Sequence, residues 1–556
     1  MTKQELLAYW KREIHKAIKY KEDFAMSKDW GRFYRYYRGK ERSAIYSVNK
    51  YFSMLRSMVP RIYFRNPKIF VSPTRPEFEA TAPVIQAVDN YILREIKIKQ
   101  TLRSVVQDVF FCNKGFVKVG YDREFGELPE VGDKTLPADE SIEYNTTVKE
   151  GMPWVLRTSP EDFLVKWGTS SLDDVIWVGH KVVRMLEDVK KDPSYKNTSK
   201  LRGGYSREIR KKRESISTTS SQVRTSQEDV LKQIGVDDEW VEIYEIRDVK
   251  KGEVLAINMD HDDFLRGPEE DDLQTEGVPY VDLGFNPDND VYWGPSDATL
   301  LEPHQREIND TKSQISMHRR INLLKFLFDS DDISNEKFKR LFKGNVGAAL
   351  GIPGLTREKI IALQPGEPLE LKRDAIEIER DINETLGFPR TEAGEYAGPP
   401  RRTKAEVEQV SQGHWIRIDE RRDLLADFLI DIVKKVNQVI FTKWTSERII
   451  PVVGPDRAMY WVKYTGAQIK GEYDFTVNID TGRPVTTETR RNEAEKLLDR
   501  VSRDSNALKI VNLPDLWKSV LSLYDWVDMD KVMLQPQNAG QVVGMGQFRD
   551  MFGRGQ

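Results

Sequence analysis

Two short acidic runs carry residue types that hold hard cations: Asp260-His261-Asp262-Asp263 and Asn286-Pro287-Asp288-Asn289-Asp290. Clustered oxygens suit Ca²⁺ or Mg²⁺. Neither run has the ligand spacing of a known cation loop, so both also read as solvated turns. The six histidines (His15, His180, His261, His304, His318 and His414) are scattered without metal-ligand spacing. Cys112, the one cysteine, lies in Val109-Phe110-Phe111-Cys112. It excludes a disulfide within the chain and reads as a small buried hydrophobe. Gly344 to Gly351 is glycine-rich, but it is not followed by Lys-Ser/Thr and lacks the Gly-x-Gly-x-x-Gly order. No P-loop, His-Glu-x-x-His, Gly-x-Ser-x-Gly or EF-hand loop occurs. These residues predict no catalytic group, no cofactor and no resident metal. The enzymatic alternative is a metal-dependent nuclease whose carboxylates meet only in the fold.

One run interleaves basic and aromatic residues: Trp30-Gly31-Arg32-Phe33-Tyr34-Arg35-Tyr36-Tyr37-Arg38-Gly39. It could stack single-stranded bases. It also fits a helix with Phe33, Tyr36 and Tyr37 inward and the arginines outward. Over the whole chain, 86 Lys+Arg face 89 Asp+Glu, a net charge of −3 on 556 residues. That balance opposes a protein that grips nucleic acid over its entire surface. Aromatics at 10% oppose a disordered chain. No apolar run reaches the length of a membrane span, and the first residues show no secretory leader pattern. Several domains' worth of chain is present.

The elements that must position these residues follow from periodicity. Leu6, Trp10, Ile14 and Ala17 predict a first helix. Residues 76–112 read as one long helix, with Gly115 as a left-handed cap after it. Strands are expected at 116–121, 154–157, 163–165 and 175–183. Trp240 to Ile246 and Val254 to Ile257 flank Lys251-Gly252, a hairpin signal. Residues 195–230 are basic and then Ser/Thr-rich, and read as a mobile or partly helical insertion. From 295 to 329 no glycine interrupts a helical pattern, about 50 Å if unbroken, with a kink at Pro303. A strand at Ile360 to Leu363 precedes a helix over 368–387 carrying Leu371, Ile376, Ile378, Ile382 and Leu386. A Gly/Pro-rich loop then leads into a very long helix from Lys404 to Trp444. Return strands at 459–464 and 473–479, a helix from Thr487 to Val501 and a frayed tail complete the chain.

The order of these parts resembles a portal protein of a tailed bacteriophage or prophage. The local text is similar too: Phe285-Asn286-Pro287 through Tyr292-Trp293-Gly294-Pro295-Ser296-Asp297, then Gln305-Arg306-Glu307-Ile308-Asn309-Asp310, is like that family's entry into its stem helix. Leu386-Gly387-Phe388-Pro389, with Gly398 to Thr403 and the helix behind, is like its tunnel loop. Asn113-Lys114-Gly115 with Val117 to Asp122 is like its wing. The resemblance implies an α+β, multi-part portal fold. Its parts would be a mixed α/β wing over 1–293, stem helices over 294–329 and 368–387, and a small α/β clip over 330–367. A tunnel loop would follow over 388–403, then the long wing helix and return strands over 404–480, and a helical C-terminal crown over 481–556.

The function so implied is structural. A ring of copies, a homododecamer in this family, would sit at one capsid vertex of the virion after assembly in the host cytoplasm. Double-stranded DNA would pass through it during packaging and ejection. The terminase large subunit, head-completion adaptor and tail proteins, and the major capsid and scaffolding proteins would be its partners, with no membrane. Arg390, Tyr396, Arg401 and Arg402 of the tunnel loop would approach the duplex, against Glu392 and Glu395. On the stem, Lys312, Arg319 and Arg320, with Lys325 beyond, could face the DNA or neighbouring subunits. A non-ring virion scaffold protein is the structural alternative.

Overall fold

The computed structural model describes residues 2–40, 46–62, 67–121, 151–205, 239–273, 275–321, 325–328, 360–363, 369–386, 404–445, 447–453, 459–477, 487–503, 516–517, 520–521 and 542–553. They form a mixed α and β structure in two compact units. Unit 1 comprises Met1–Lys28, Ser57–Ser296 and Trp415–Gln556, and unit 2 comprises Asp29–Arg56 and Asp297–His414. Among the described residues no helix is long and apolar enough to cross a membrane.

Unit 1 opens with the helix Lys3–Phe24, started by a capping box in which Glu5 N–H donates to Thr2 Oγ1 and Thr2 N–H to Glu5. Its inward face is Leu7, Trp10, Ile14 and Ala17, so Leu7 rather than Leu6 completes the 3–4–3 spacing. The face packs on the largest sheet, built from β4 (Phe163–Val165), β5 (Trp177–Met185), β7 (Glu239–Asp248), β8 (Glu253–Ile257) and β9 (Phe264–Glu270), with β6 (Gly204–Tyr205) added to β7. Trp10 meets Trp177 edge-on, 5.7 Å between centroids, within a core of Leu164, Ile246, Leu255, Ile257 and Phe264. The expected hairpin is present: Gly252 takes φ +67° between β7 and β8. Tyr195 and Leu201, the beginning of the expected insertion, are buried beside Val241, Ile243 and Leu265. The first part of 195–230 is therefore built into the sheet, because its apolar residues anchor it. Residues 206–238 lie outside the described set.

The expected helix over 76–112 is two helices, Ala82–Glu95 and Ile98–Cys112. Lys97 between them has φ +52°, a left-handed conformation that no helix interior tolerates. Asn113, with φ +61°, is the left-handed cap of the second helix, and its N–H donates to Val109 O at 2.8 Å. Gly115 serves a different purpose from the expected cap. A Cβ there would lie 2.7 Å from the Val105 side chain and 2.8 Å from its carbonyl oxygen. Glycine lets β2 (Lys114–Tyr121) press onto the helix, and β2 pairs with β3 (Pro153–Thr158) and β10 (Tyr280–Gly284). Cys112 is buried.

Further pairings use distant segments. β1 (Ile69–Pro73) is antiparallel to β15 (Tyr473–Val477), and β13 (Arg448–Val453) to β14 (Met459–Tyr464). The terminal segment is not frayed over 542–553. β16 (Val542–Gly544) runs parallel to β14, and the helix Met545–Gly553 buries Phe548 near Tyr460. Val543, Met545 and Phe548 supply enough apolar surface to order this piece.

Among the described residues, the second segment of unit 2 has two helices, one on either side of a two-stranded ribbon in chain order. The helix Asp297–Ile321 leads to β11 (Lys325–Phe328), which is antiparallel to β12 (Ile360–Leu363). The helix Leu369–Leu386 follows and packs alongside the first. The helix is described to Ile321 and Lys325–Phe328 is a strand, so helical structure does not reach the expected 329. Pro303 lies within the helix without ending it. On the second helix Ala375, Ile378, Ile382 and Leu386 turn inward, while Ile376 is 55% exposed. The 3.6-residue period places Ala375 where Ile376 was expected.

Candidate functional site

The helix pair of unit 2 covers positions at which the resemblance expects a stem. Trp30, Phe33 and Tyr36 of the basic-aromatic run are buried. Tyr36 stacks on Tyr51 at 5.3 Å, and Phe33 stacks on the same ring at 5.9 Å. Tyr51 donates to Ala298 O at 2.7 Å. Burial, then the nearby Glu302 carboxylate, pushes the Tyr51 phenol well up. Arg32 binds Glu302, which also takes Arg306 at 2.6 Å. The run is therefore a packed helix whose Trp30, Phe33 and Tyr36 are committed to the core, while Tyr37, expected inward, is half-buried and stacks on the exposed Phe52 at 5.6 Å.

One stripe of Asp297–Ile321 holds an extended strap. Gln305 Oε1 accepts from Lys50 N–H at 3.0 Å, and Gln305 Nε2 donates to Val48 O at 2.6 Å. Asn309 Oδ1 accepts from Val48 N–H at 2.9 Å, and Ser313 Oγ from Tyr46 N–H at 3.0 Å. Gln305, Asn309 and Ser313 recur at four-residue spacing and are buried. They supply hydrogen-bond partners to backbone groups of a strap that is exposed at Tyr46 and half-buried at Val48 and Lys50. Lys50 Nζ then pairs with Glu379 at 3.2 Å, tying the strap to the second helix. The sequence carries a signal for this stripe, polar residues in phase with Leu301 and Ile308, but its partner is hundreds of residues away.

Lys312 and Arg319 lie two turns apart, in line with Gln305, Ile308 and Ile315. Lys312 is half-buried and Arg319 exposed. Neither has an ion-pair partner among the described residues. Arg320 lies on the same helix, with its side chain outside the described set. The opposite, exposed face carries Arg306, Glu307, Asp310, Gln314 and Met317. Leu369–Leu386 bears six carboxylates against three cations. Arg390, Tyr396, Arg401 and Arg402, with Glu392 and Glu395, lie outside the described residues.

The acidic runs of unit 1 are engaged in turns. Asp260 N–H donates to Asn258 Oδ1 at 2.8 Å, Lys11 Nζ donates to His261 O at 2.7 Å, and Asp263 pairs with Lys3 at 2.7 Å. Asn286 and Asn113 exchange two hydrogen bonds, and a Cβ on Gly294 would lie 2.4 Å from Asn286 O. Two segments singled out in the sequence, around Asn113 and from Phe285 to Gly294, therefore meet at one joint within unit 1. Among the described residues no group of three or more His, Cys, Asp or Glu is arranged to hold a metal.

The sequence did not point to the buried charges of unit 1. Lys118 Nζ reaches both Glu245 oxygens, at 3.0 and 2.8 Å, linking β2 to β7. Arg247 binds Glu245 and Asp271. Burial works to raise the Glu245 carboxyl, but Lys118, then Arg247 and His180, outweigh it and hold it down at about 2. Asp108 binds Arg157 in a fork, and its burial pushes it up to about 6. Asp89 is pushed up to about 8 by burial against the weak opposing pull of Asn437 Nδ2 at 3.2 Å. Lys21 donates to the carbonyls of Pro160, Glu161 and Phe163 at 3.0, 2.6 and 2.9 Å. Burial lowers Lys21 to about 8.

No family model matches the chain, and no curated protein matches it. Among solved structures it is similar to a chain of "Neck of native GTA particle computed with C12 symmetry". That match has 8% identity and a TM-score of 0.39, and covers 89% of this chain and 93% of the other. It is also similar to a chain of "Neck of empty GTA particle computed with C6 symmetry". There the identity is 9% and the TM-score 0.37, over 83% of this chain and 88% of the other.

Proposed function

We propose that this chain is a portal subunit. Copies form a ring at one capsid vertex, pass double-stranded DNA during packaging and ejection, and dock terminase and then the adaptor and tail proteins. The ring has no catalysis of its own. The observation that carries this reading is the excursion within unit 2. One helix leads to a strand, an antiparallel strand returns, and a second helix packs alongside the first. In this reading the helices are stem, the ribbon belongs to the clip, and 388–403 is the tunnel loop. The wing is 1–293 with 404–480, and the crown is 481–556.

Charge supports the reading. A conduit must let phosphates pass, and each neutralised phosphate adds salt-dependent affinity. The carboxylate excess on Leu369–Leu386 suits a guide better than a clamp. Lys312, Arg319 and Arg320 remain the stem candidates for contact with DNA or with neighbouring subunits. The test is the mass of the purified protein by light scattering, with end-on micrographs. A closed ring with an axial hole is expected, and a monomer at assembly-level concentration would overturn the proposal. Arg401→Ala with Arg402→Ala should leave the ring intact and alter packaging. Unchanged packaging would remove the tunnel-loop assignment.

A further inference from the structure

We propose that the basic face where Ala82–Glu95 meets Ile98–Cys112 is an interface for a second copy of this chain, and that its counterpart is an aspartate stripe on Lys404–Lys443. The inference rests on the self-association that the proposed function requires, and it names where that contact is made.

Arg94, Lys97, Lys99 and Arg103 are all exposed. The carboxylate among them, Glu95, is half-buried. Arg94 Nε donates to Asn90 O at 3.2 Å, and none of the four cations has a carboxylate partner among the described residues. The helix beginning at Ile98 has no side-chain cap and no acid in its first turn, so its positive end adds to the same face. This concentration of charge runs against a chain whose net charge is −3.

The long helix carries the complement. Asp419, Asp423, Asp427 and Asp431 recur at four-residue spacing and are exposed. Like charges at this spacing oppose a helix, and Asp is a weak helix former. The single chain offers partial relief only: Lys434 reaches Asp431 at 3.4 Å, and Arg422 reaches Asp419 at 4.0 Å. Asp423 and Asp427 have no ion-pair partner among the described residues. Leu425, Phe428, Leu429 and Ile432 bury the other side of the helix, so the stripe cannot rotate away from solvent. Among the described residues no ion pair joins stripe and basic face within one chain.

A ring closes through heterologous contacts, which join two different patches. Opposite potentials on such patches set orientation and register. A duplex phosphate backbone would match the basic face but leave the aspartate stripe unaccounted for. A second copy accounts for both with one contact.

The experiment measures mass by light scattering on the full chain at low and high salt. One variant carries Lys97→Glu, Lys99→Glu and Arg103→Glu. A second carries Asp419→Lys, Asp423→Lys and Asp427→Lys, and a third carries all six changes. Each triple variant should weaken assembly by at least about tenfold, and the sixfold variant should regain it. Neutral changes (Lys97→Gln, Lys99→Gln and Arg103→Gln), with unchanged circular dichroism, should weaken assembly in the same direction. Wild-type assembly should loosen in high salt. If the wild type assembles and both triple variants assemble equally well, the interface is wrong and the ring stands. If the wild type is monomeric throughout, the portal reading fails as well. If the basic triple loses binding of a short DNA duplex while the aspartate triple keeps wild-type mass, the face belongs to nucleic acid and this proposal is overturned.

Discussion

The two units solve the same problem, polar groups taken out of water, with different chemistry. Unit 1 buries ionised side chains in pairs: Lys118 of β2 with Glu245 of β7 across two sheets, and Arg247 of β7 with Asp271 just beyond β9 of the same sheet. Unit 2 buries neutral side chains, Gln305, Asn309 and Ser313, and spends them on the backbone of a strap. A buried charge pair fixes one geometry strongly but is ruinous when one partner is lost. A neutral ladder divides the same burden among several modest bonds. The joint between two sheets needs the first property. A strap along a helix can be held by the second.

Breaking the comparison starts with the charges. Lys118→Met leaves Glu245 buried beside Arg247 and should cost about 3–5 kcal/mol in chemical denaturation. Adding Glu245→Leu should recover much of that loss. Glu245→Leu also takes a partner from the buried Arg247, so the recovery is read against Glu245→Leu alone, and a double variant no more stable than the sum of the two single losses would mean that Lys118 acts by packing and not by charge.

The next effect is a pH dependence. The folded pKa of Asp89 is about 8, against about 4 in an unfolded chain. The folded state therefore holds the proton more tightly. Its contribution is fully present below about pH 4 and declines as pH rises toward about 8. Asp89→Asn should flatten this part of the stability–pH curve, read as melting temperature at several pH values. Asp108, raised to about 6, loses its contribution over a narrower window, from about 4 to 6.

In unit 2, Gln305→Leu removes an acceptor from the Lys50 N–H and a donor from the Val48 carbonyl, leaving these two groups only their 3.1 Å bond to each other. A loss of about 1–3 kcal/mol is expected, with faster amide exchange confined to 46–50. A loss as large as that of Lys118→Met would erase the contrast between the units. The smallest effect is at the surface. Lys3 and Asp263 are 62% and 41% exposed, so Asp263→Ala should cost less than about 1 kcal/mol in a thermal melt.

Much of the element order was legible because periodicity is local. β2, the hairpin at Gly252, β12 and the helices Leu369–Leu386, Lys404–Lys443 and Thr487–Arg503 fall where apolar spacing puts them. What failed was decided by neighbours or by φ. Lys97 breaks a pattern whose spacing continues through it. Gly115 looks like a cap until Val105 is found against it. Val542–Gly553 looks like a tail until β14 receives it. For the candidate site, the sequence identified Lys312 and Arg319 as helix residues, but it did not reveal the strap that Gln305 and Asn309 hold.

The sequence by itself determined which segments coil and which extend, that the one thiol is buried, and that the charges nearly cancel. These depend on residues a few positions apart. Tertiary structure decided which charges are buried together and which chain ends join a sheet. Lys118 meets Glu245, Asn113 meets Asn286, and Val48 meets Asn309. Each of these partners is set by the folding of whole units, because a hydrogen bond depends on distance in space and not along the chain.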